Sequence, residues 1–207
     1  MKRLLICTLL LLTAAAADAD RLVLTPRGFI TTPGTLRAEY FTAQKGGRNF
    51  GFLSTGLPLG PTVLELEAER ADIGNTVRET LHAQYSITGN AFADLAPVVS
   101  VGVRDIMNRG RERRAYFVAM SKTIGLSVGQ ERFVKDLKVH LGLGSSRLEG
   151  VFGGVQMRLP FNLEARGEYA ARRWNGSVSL PILRNLHARA YTLDGTFFYG
   201  GTLNLRF

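Results

Sequence analysis

From Thr35 to the last residue, apolar and polar side chains alternate at period two in segment after segment. No other feature restricts the fold of this chain as much. "TVLELEAER" sets Leu64, Leu66 and Ala68 against Glu65, Glu67 and Glu69. "TVRETLHAQYSI" sets Val77, Leu81, Ala83, Tyr85 and Ile87 against Arg78, Thr80, His82, Gln84 and Ser86. Successive side chains of a strand point to opposite faces, so each segment reads as a strand with one oily and one polar side. Between the two, "ADIGN" carries the turn residues Asp72, Gly74 and Asn75 and predicts a hairpin.

About twelve such segments occur, many of them 8 to 12 residues long. Turn signals such as "KGG", "GLPLGP", "NRGRERR", "GSS", "RWNG" and "LDG" separate them. Apolar residues rarely recur at helical spacing, and "AFADLA" near Ala91 is the one weak helical stretch. The chain therefore reads as all-β, without a domain boundary.

Alternation suits a water-soluble sandwich or a membrane barrel, and the two send their oily faces in opposite directions. Three features favour the barrel. The segments approach the ~9–11 residues a tilted membrane strand needs. The polar face carries full charges of both signs, which suits a lumen. Aromatic residues gather near segment ends: Tyr40, Phe41, Phe50, Tyr85, Tyr116, Phe117, Phe161, Tyr169, Trp174, Tyr191, Phe197 and Tyr199. Girdles of aromatic residues mark both interfaces of an outer-membrane barrel. The end, "TLNLRF", resembles the C-terminal assembly signal of bacterial outer-membrane proteins, with Leu203, Leu205 and Phe207 in its apolar positions. The expectation is a single antiparallel transmembrane β-barrel of about twelve strands in the bacterial outer membrane.

The beginning, "MKRLLICTLLLLTAAAADAD", has the charged, apolar and small-residue regions of a secretory signal peptide. Cleavage after Ala19 gives a signal peptide over 1–19 and a barrel over 20–207. Cys7 leaves with the signal, so no disulfide framework or thiolate metal site is expected. The net charge falls from +9 to +8, because two positive residues and one negative leave. Such a balance favours acidic partners, and export argues against nucleic acid.

The chemistry-bearing residues are few. His82, His140 and His187 lack a neighbouring nucleophile in sequence; Ser86 and Ser121 are candidates that need a histidine within reach. No His, Asp or Glu cluster has metal-ligand spacing, so no metal and no cofactor are expected. Glu65, Glu67 and Glu69 read as a lumen network with Arg78 and His82 rather than as paired glycosidase carboxylates. Arg109, Arg111, Arg113 and Arg114 in "NRGRERR", with Arg172 and Arg173 in "ARRWN", read as anionic contacts, because guanidinium forks match phosphates and carboxylates.

"GFITTPGTLRAEY", "VVSVGVRDIMNRGRERRAYFVAMSKTIG", "LEGVFGGVQMRLP" and "LEARGEYAARRWN" resemble stretches of the YjbH-like outer-membrane family, over roughly residues 28 to 175. The resemblance implies a non-enzymatic barrel that supports exopolysaccharide export or surface display. An anionic polysaccharide is the partner the resemblance implies; the expected partners otherwise are outer-membrane lipid, lipopolysaccharide for the arginine loops and the barrel assembly machinery for the C-terminal signal. Two alternatives stand beside it: a small channel or structural barrel without a polysaccharide role, and a lipid-modifying outer-membrane enzyme.

Overall fold

The computed structural model describes residues 23–88, 96–110, 113–124 and 134–207. The expected signal peptide, its boundary at residue 20, the stretch near Ala91 and Arg111 lie outside the described residues. The first strands are β1 (Thr35–Ala43), β2 (Arg48–Leu59), β3 (Thr62–Ile73), β4 (Thr76–Ser86), β5 (Val98–Arg104) and β6 (Ala115–Ile124). They continue with β7 (Asp136–Gly144), β8 (Gly150–Arg158), β9 (Glu164–Ala170), β10 (Arg173–Pro181), β11 (Leu186–Leu193) and β12 (Thr196–Arg206). Each pairs antiparallel with its sequence neighbours. β1 pairs with β12 from Thr35↔Arg206 to Ala43↔Phe198, which closes the barrel. The expected architecture is the one the chain adopts.

Thr35 and Phe207 lie at one end of the barrel, called here the terminal end. The turns after β1, β3, β5, β7, β9 and β11 lie at the other, the far end. At the far end the β11–β12 hairpin turns on Asp194 and Gly195, at φ 51° and 73°, the Asp-Gly pair this tight turn prefers. The β9–β10 hairpin makes the same demand of Ala171 and Arg172, at φ 48° and 62°. Left-handed backbone costs a non-glycine residue about 1–2 kcal/mol. Arg172→Gly is therefore expected to stabilise the folded barrel by about 1 kcal/mol, read as a higher urea midpoint in lipid vesicles.

Alternation now acquires a direction. Leu141 and Leu143 of β7 are 50% and 61% exposed on the outside, whereas Lys138 and His140 of the same strand are buried inside. Glu65, Glu67 and Glu69 point inward while Leu64 and Leu66 point out. A soluble sandwich would reverse these faces. Nine of the twelve strands have at least nine residues, enough to cross a bilayer core when tilted. An apolar outer band of this extent is stable only against lipid. The chain is a closed β-barrel of the bacterial outer membrane.

The aromatic residues divide in a way the sequence does not announce. Tyr40, Tyr116, Tyr169, Trp174, Phe197 and Tyr199 are exposed on the outside toward the far end, and Tyr85, Phe161 and Phe207 are exposed toward the terminal end. Phe41, Phe117 and Tyr191 instead point inward and are buried. Phe41, Phe52, Tyr191 and Phe198 form an apolar cluster with Val23 in the far half of the lumen, and Phe50 packs against it. Phe117 and Phe152 form a second cluster with Leu148. The lumen is thus polar only in part: toward the far end its β1, β2, β11 and β12 side is aromatic, while Glu69, His82 and Asp105 stand on the side of β3 to β5.

Candidate functional site

The twelve residues before β1, "VLTPRGFITTPG", form no strand of the wall and meet β2 at an isolated bridge, Pro33 to Gly56. Pro26 and Pro33 have no N–H to give a ladder, which disfavours a central strand. The segment instead runs through the lumen. Val23 sits in the far-half aromatic cluster, and Gly34 receives the Phe207 N–H on its carbonyl at 2.9 Å at the terminal end. Between them Arg27, Ile30 and Thr31 are 0% exposed.

Two buried glutamates hold the segment at opposite ends. The Glu168 carboxylate of β9 accepts the backbone N–H groups of Val23, Leu24 and Thr25 at 2.9–3.1 Å and the Thr25 hydroxyl at 2.8 Å. Glu65 of β3 accepts the Thr31 N–H at 2.6 Å and its hydroxyl at 2.9 Å. In the middle, the Arg27 carbonyl accepts from the Ser100 hydroxyl at 2.9 Å and from the Gln84 amide, while its guanidinium donates to Gln156. The Gly28 N–H donates to Ser121 Oγ at 2.7 Å. The Phe29 ring meets the His140 ring edge-on, with centroids 6.0 Å apart, and Lys138 Nζ lies 5.0 Å from its centre.

Both glycines at the crossing are required by space. A Cβ on Gly28 would lie 2.6 Å from the Ser121 backbone nitrogen, and one on Gly56 of the wall would lie 2.9 Å from the Thr32 carbonyl oxygen. Real side chains do not approach so closely.

Around the segment the wall charges neutralise one another. Buried Arg37, Arg104, Lys138, Arg166 and Arg189 of the wall, together with Arg27 of the segment, are matched in number by buried Glu39, Glu65, Glu67, Glu69, Asp105 and Glu168. Arg37 pairs with Glu39, which Arg189 also meets at 3.4 Å. Arg166 Nε donates to Glu164 at 2.6 Å. In the ladder singled out from sequence, Glu67 meets Arg104 at 3.5 Å and Glu69 meets His82 at 2.9 Å. Arg78 stands opposite Ala71, above the ladder, and lines a far-end cavity.

The histidines serve this scaffold. His82 Nδ1 accepts the Asp105 N–H at 2.9 Å, which leaves Nε2 to carry the proton toward Glu69. Asp105 in turn accepts the N–H groups of Arg109 and Gly110 at 2.9 and 2.6 Å, so His82 braces the β5–β6 loop. Ser121 Oγ lies 2.6 Å from His140 Nδ1, a nucleophile–base distance. Yet that hydroxyl accepts the Gly28 amide, and among the described residues His140 Nε2 meets no hydrogen-bond partner that would orient it as the third group of a triad. Ser86 stands opposite Ser100, and His187 opposite Pro181. Among the described residues no group of three His, Cys, Asp or Glu is placed to hold a metal.

The arginines proposed as anionic contacts all come to the far end, apart from the undescribed Arg111. Arg109, Arg113 and Arg114 are exposed on the β5–β6 loop; Arg172 and Arg173 are exposed at the β9–β10 turn. They do not form one cluster. Arg113 lines a cavity of about 200 Å³ with Arg48 and Arg78, whereas Arg173 pairs with Asp194 beside a second cavity of about 430 Å³. Both cavities end on Leu24 of the lumen segment. A small cavity beside Glu65, Glu67 and Gln84 has a volume of about 10 Å³.

Sequence reasoning overlooked the lumen segment. Its signal was available: a non-alternating stretch bracketed by Pro26 and Pro33, with two glycines, between the expected cleavage site and the first strand.

Among solved structures, a KdgM porin matches with a TM-score of 0.52 at 10% identity, over 84% of this chain and 99% of that one. At this identity the likeness speaks for the fold alone. No family model and no curated protein matches the sequence. The resemblance to the YjbH-like family is thereby corrected: the structural likeness is to a porin, and no family model supports the exopolysaccharide assignment. The stretches that suggested it are largely strand and turn patterns that many barrels share.

Proposed function

We propose that the chain is a small outer-membrane channel of the porin type, closed at rest by its own residues 23–34. The observation that carries this reading is the two-ended grip of Glu168 and Glu65 on a segment running the length of the lumen. With the segment seated, the cavity beside Glu65 and Glu67 is about 10 Å³, at or below what one water needs, while at Glu69 the lumen widens into the far-end cavity of about 200 Å³. With the segment gone, the path is lined by charged groups, which suits hydrated polar solutes. Arg27 leaves with the segment, so the buried charges named above become five basic against six acidic, and a weak preference for cations is expected. Planar-bilayer recording of the purified chain tests the reading. A quiet baseline with infrequent openings is expected; a steady wide conductance with the segment seated overturns it.

In this reading the terminal end faces the periplasm, and the far-end arginines meet lipopolysaccharide phosphates. The reading is non-enzymatic, as the likeness to a porin supports. Leu203, Leu205 and Phe207 face outward beside the β1–β12 seam and serve as the signal for the assembly machinery. Phe207→Ala is expected to lower the heat-modifiable, folded fraction in cell membranes several-fold, while refolding from urea into detergent is unchanged. An equal loss in both assays would assign Phe207 to stability instead.

A further inference from the structure

We propose that the lumen wall is a binding site for an extended polypeptide, of which residues 23–34 are the resident ligand. The inference deepens the channel reading, and its conductance arm rests on it. The wall addresses mostly main chain. Glu168, Ser121 and Glu65 take backbone N–H groups at Val23, Leu24, Thr25, Gly28 and Thr31. Gln84 and Ser100 give to the Arg27 carbonyl, and the Gly56 carbonyl takes the Gly34 N–H at 3.3 Å. These wall groups come from six different strands, β2, β3, β4, β5, β6 and β9. Main-chain contacts of this kind supply affinity, and a few side-chain positions supply selectivity, as when a peptide is added to a sheet edge.

Here the selective positions are a glycine where the segment passes β5 and β6, an aromatic residue beside His140, and hydroxyls beside the two glutamates. The ligand class follows: an extended peptide with Gly-aromatic at its centre and no proline at the three grip points. Only Gly34 ties the resident segment covalently to the wall through β1. Every other contact is one that a separate peptide can make. The tether raises the segment's effective concentration to the order of mM, so a free peptide competes only once the segment is weakened.

The full chain carrying Gly28→Val supplies that state, because the new side chain cannot pass Ser121. A second full-length variant, Thr25→Pro/Thr31→Pro, removes two gripped N–H groups and leaves the wall untouched. Either is used once it shows heat-modifiable migration. The probe is the peptide VLTPRGFITTPG, acetylated and amidated, with a fluorophore for anisotropy in detergent. Saturable binding to the variants, absent for the same peptide carrying Gly28→Val, is the expected result. In bilayers the native peptide should lower the open-channel current by about tenfold or more. No binding to folded variants that conduct overturns the peptide site and leaves the channel reading standing. Binding to variants that never conduct supports the site and overturns the channel reading.

Discussion

Replacing Glu65 and Glu168 together with alanine should convert a quiet barrel into a conducting one. Glu168 takes three consecutive backbone N–H groups and a hydroxyl; Glu65 takes one of each at the other end. Hydrogen bonds to a charged group are worth about 1.5–3 kcal/mol net. Losing both grips therefore costs the closed state roughly 3–6 kcal/mol. That lowers the closed-to-open ratio by about 10²–10⁴. The two sites lie at opposite ends of the segment, so the single variants should act nearly additively. The backbone hydrogen bonds between the wall strands are not touched, although Glu168 also loses Asn175, and heat-modifiable migration should persist. A folded double variant as silent as the native chain would mean that this segment is not the barrier.

Leu141→Arg should sharply reduce the folded yield. Leu141 faces outward on β7, opposite Met120 on β6 and Gly153 on β8, and is 50% exposed. An arginine on the lipid face near the midplane costs about 2–4 kcal/mol, a substantial part of the margin of a typical domain at ~5–15 kcal/mol. Leu141→Phe is the informative partner. In lipid the larger ring meets only fluid chains, and stability should hold within about 0.5 kcal/mol. In a packed soluble core the same change costs about 1–3 kcal/mol through overpacking. Urea titration of vesicle-refolded protein separates the two cases. A large loss for phenylalanine and a small one for arginine would place Leu141 against protein rather than lipid.

Much of the wall was legible because its information is local. Leu64, Glu65 and Leu66 declare their faces within three residues, and "LDG" declares its turn at Asp194 and Gly195. The candidate site was less legible. Glu65, Glu67, Glu69 and His82 could be assigned to the inward face by phase. Their contacts could not: Arg104 meets Glu67 from β5, and Asp105 reaches His82 from the following loop. Phase alone also says nothing of Ser121 and His140, which adjoin only because β6 and β7 pair in that register.

By itself the sequence determined the strands, their number within narrow limits, the lipid-facing leucines and the inward charges. Each of these follows from the two-residue period of an extended chain, which neighbouring residues express without outside help. The tertiary structure alone decided what fills the lumen. Val23 meets Glu168 across 145 positions, and Thr31 meets Glu65 across 34. Such contacts exist only after twelve strands have closed on each other, because closure is what brings distant glutamates to either end of one short segment.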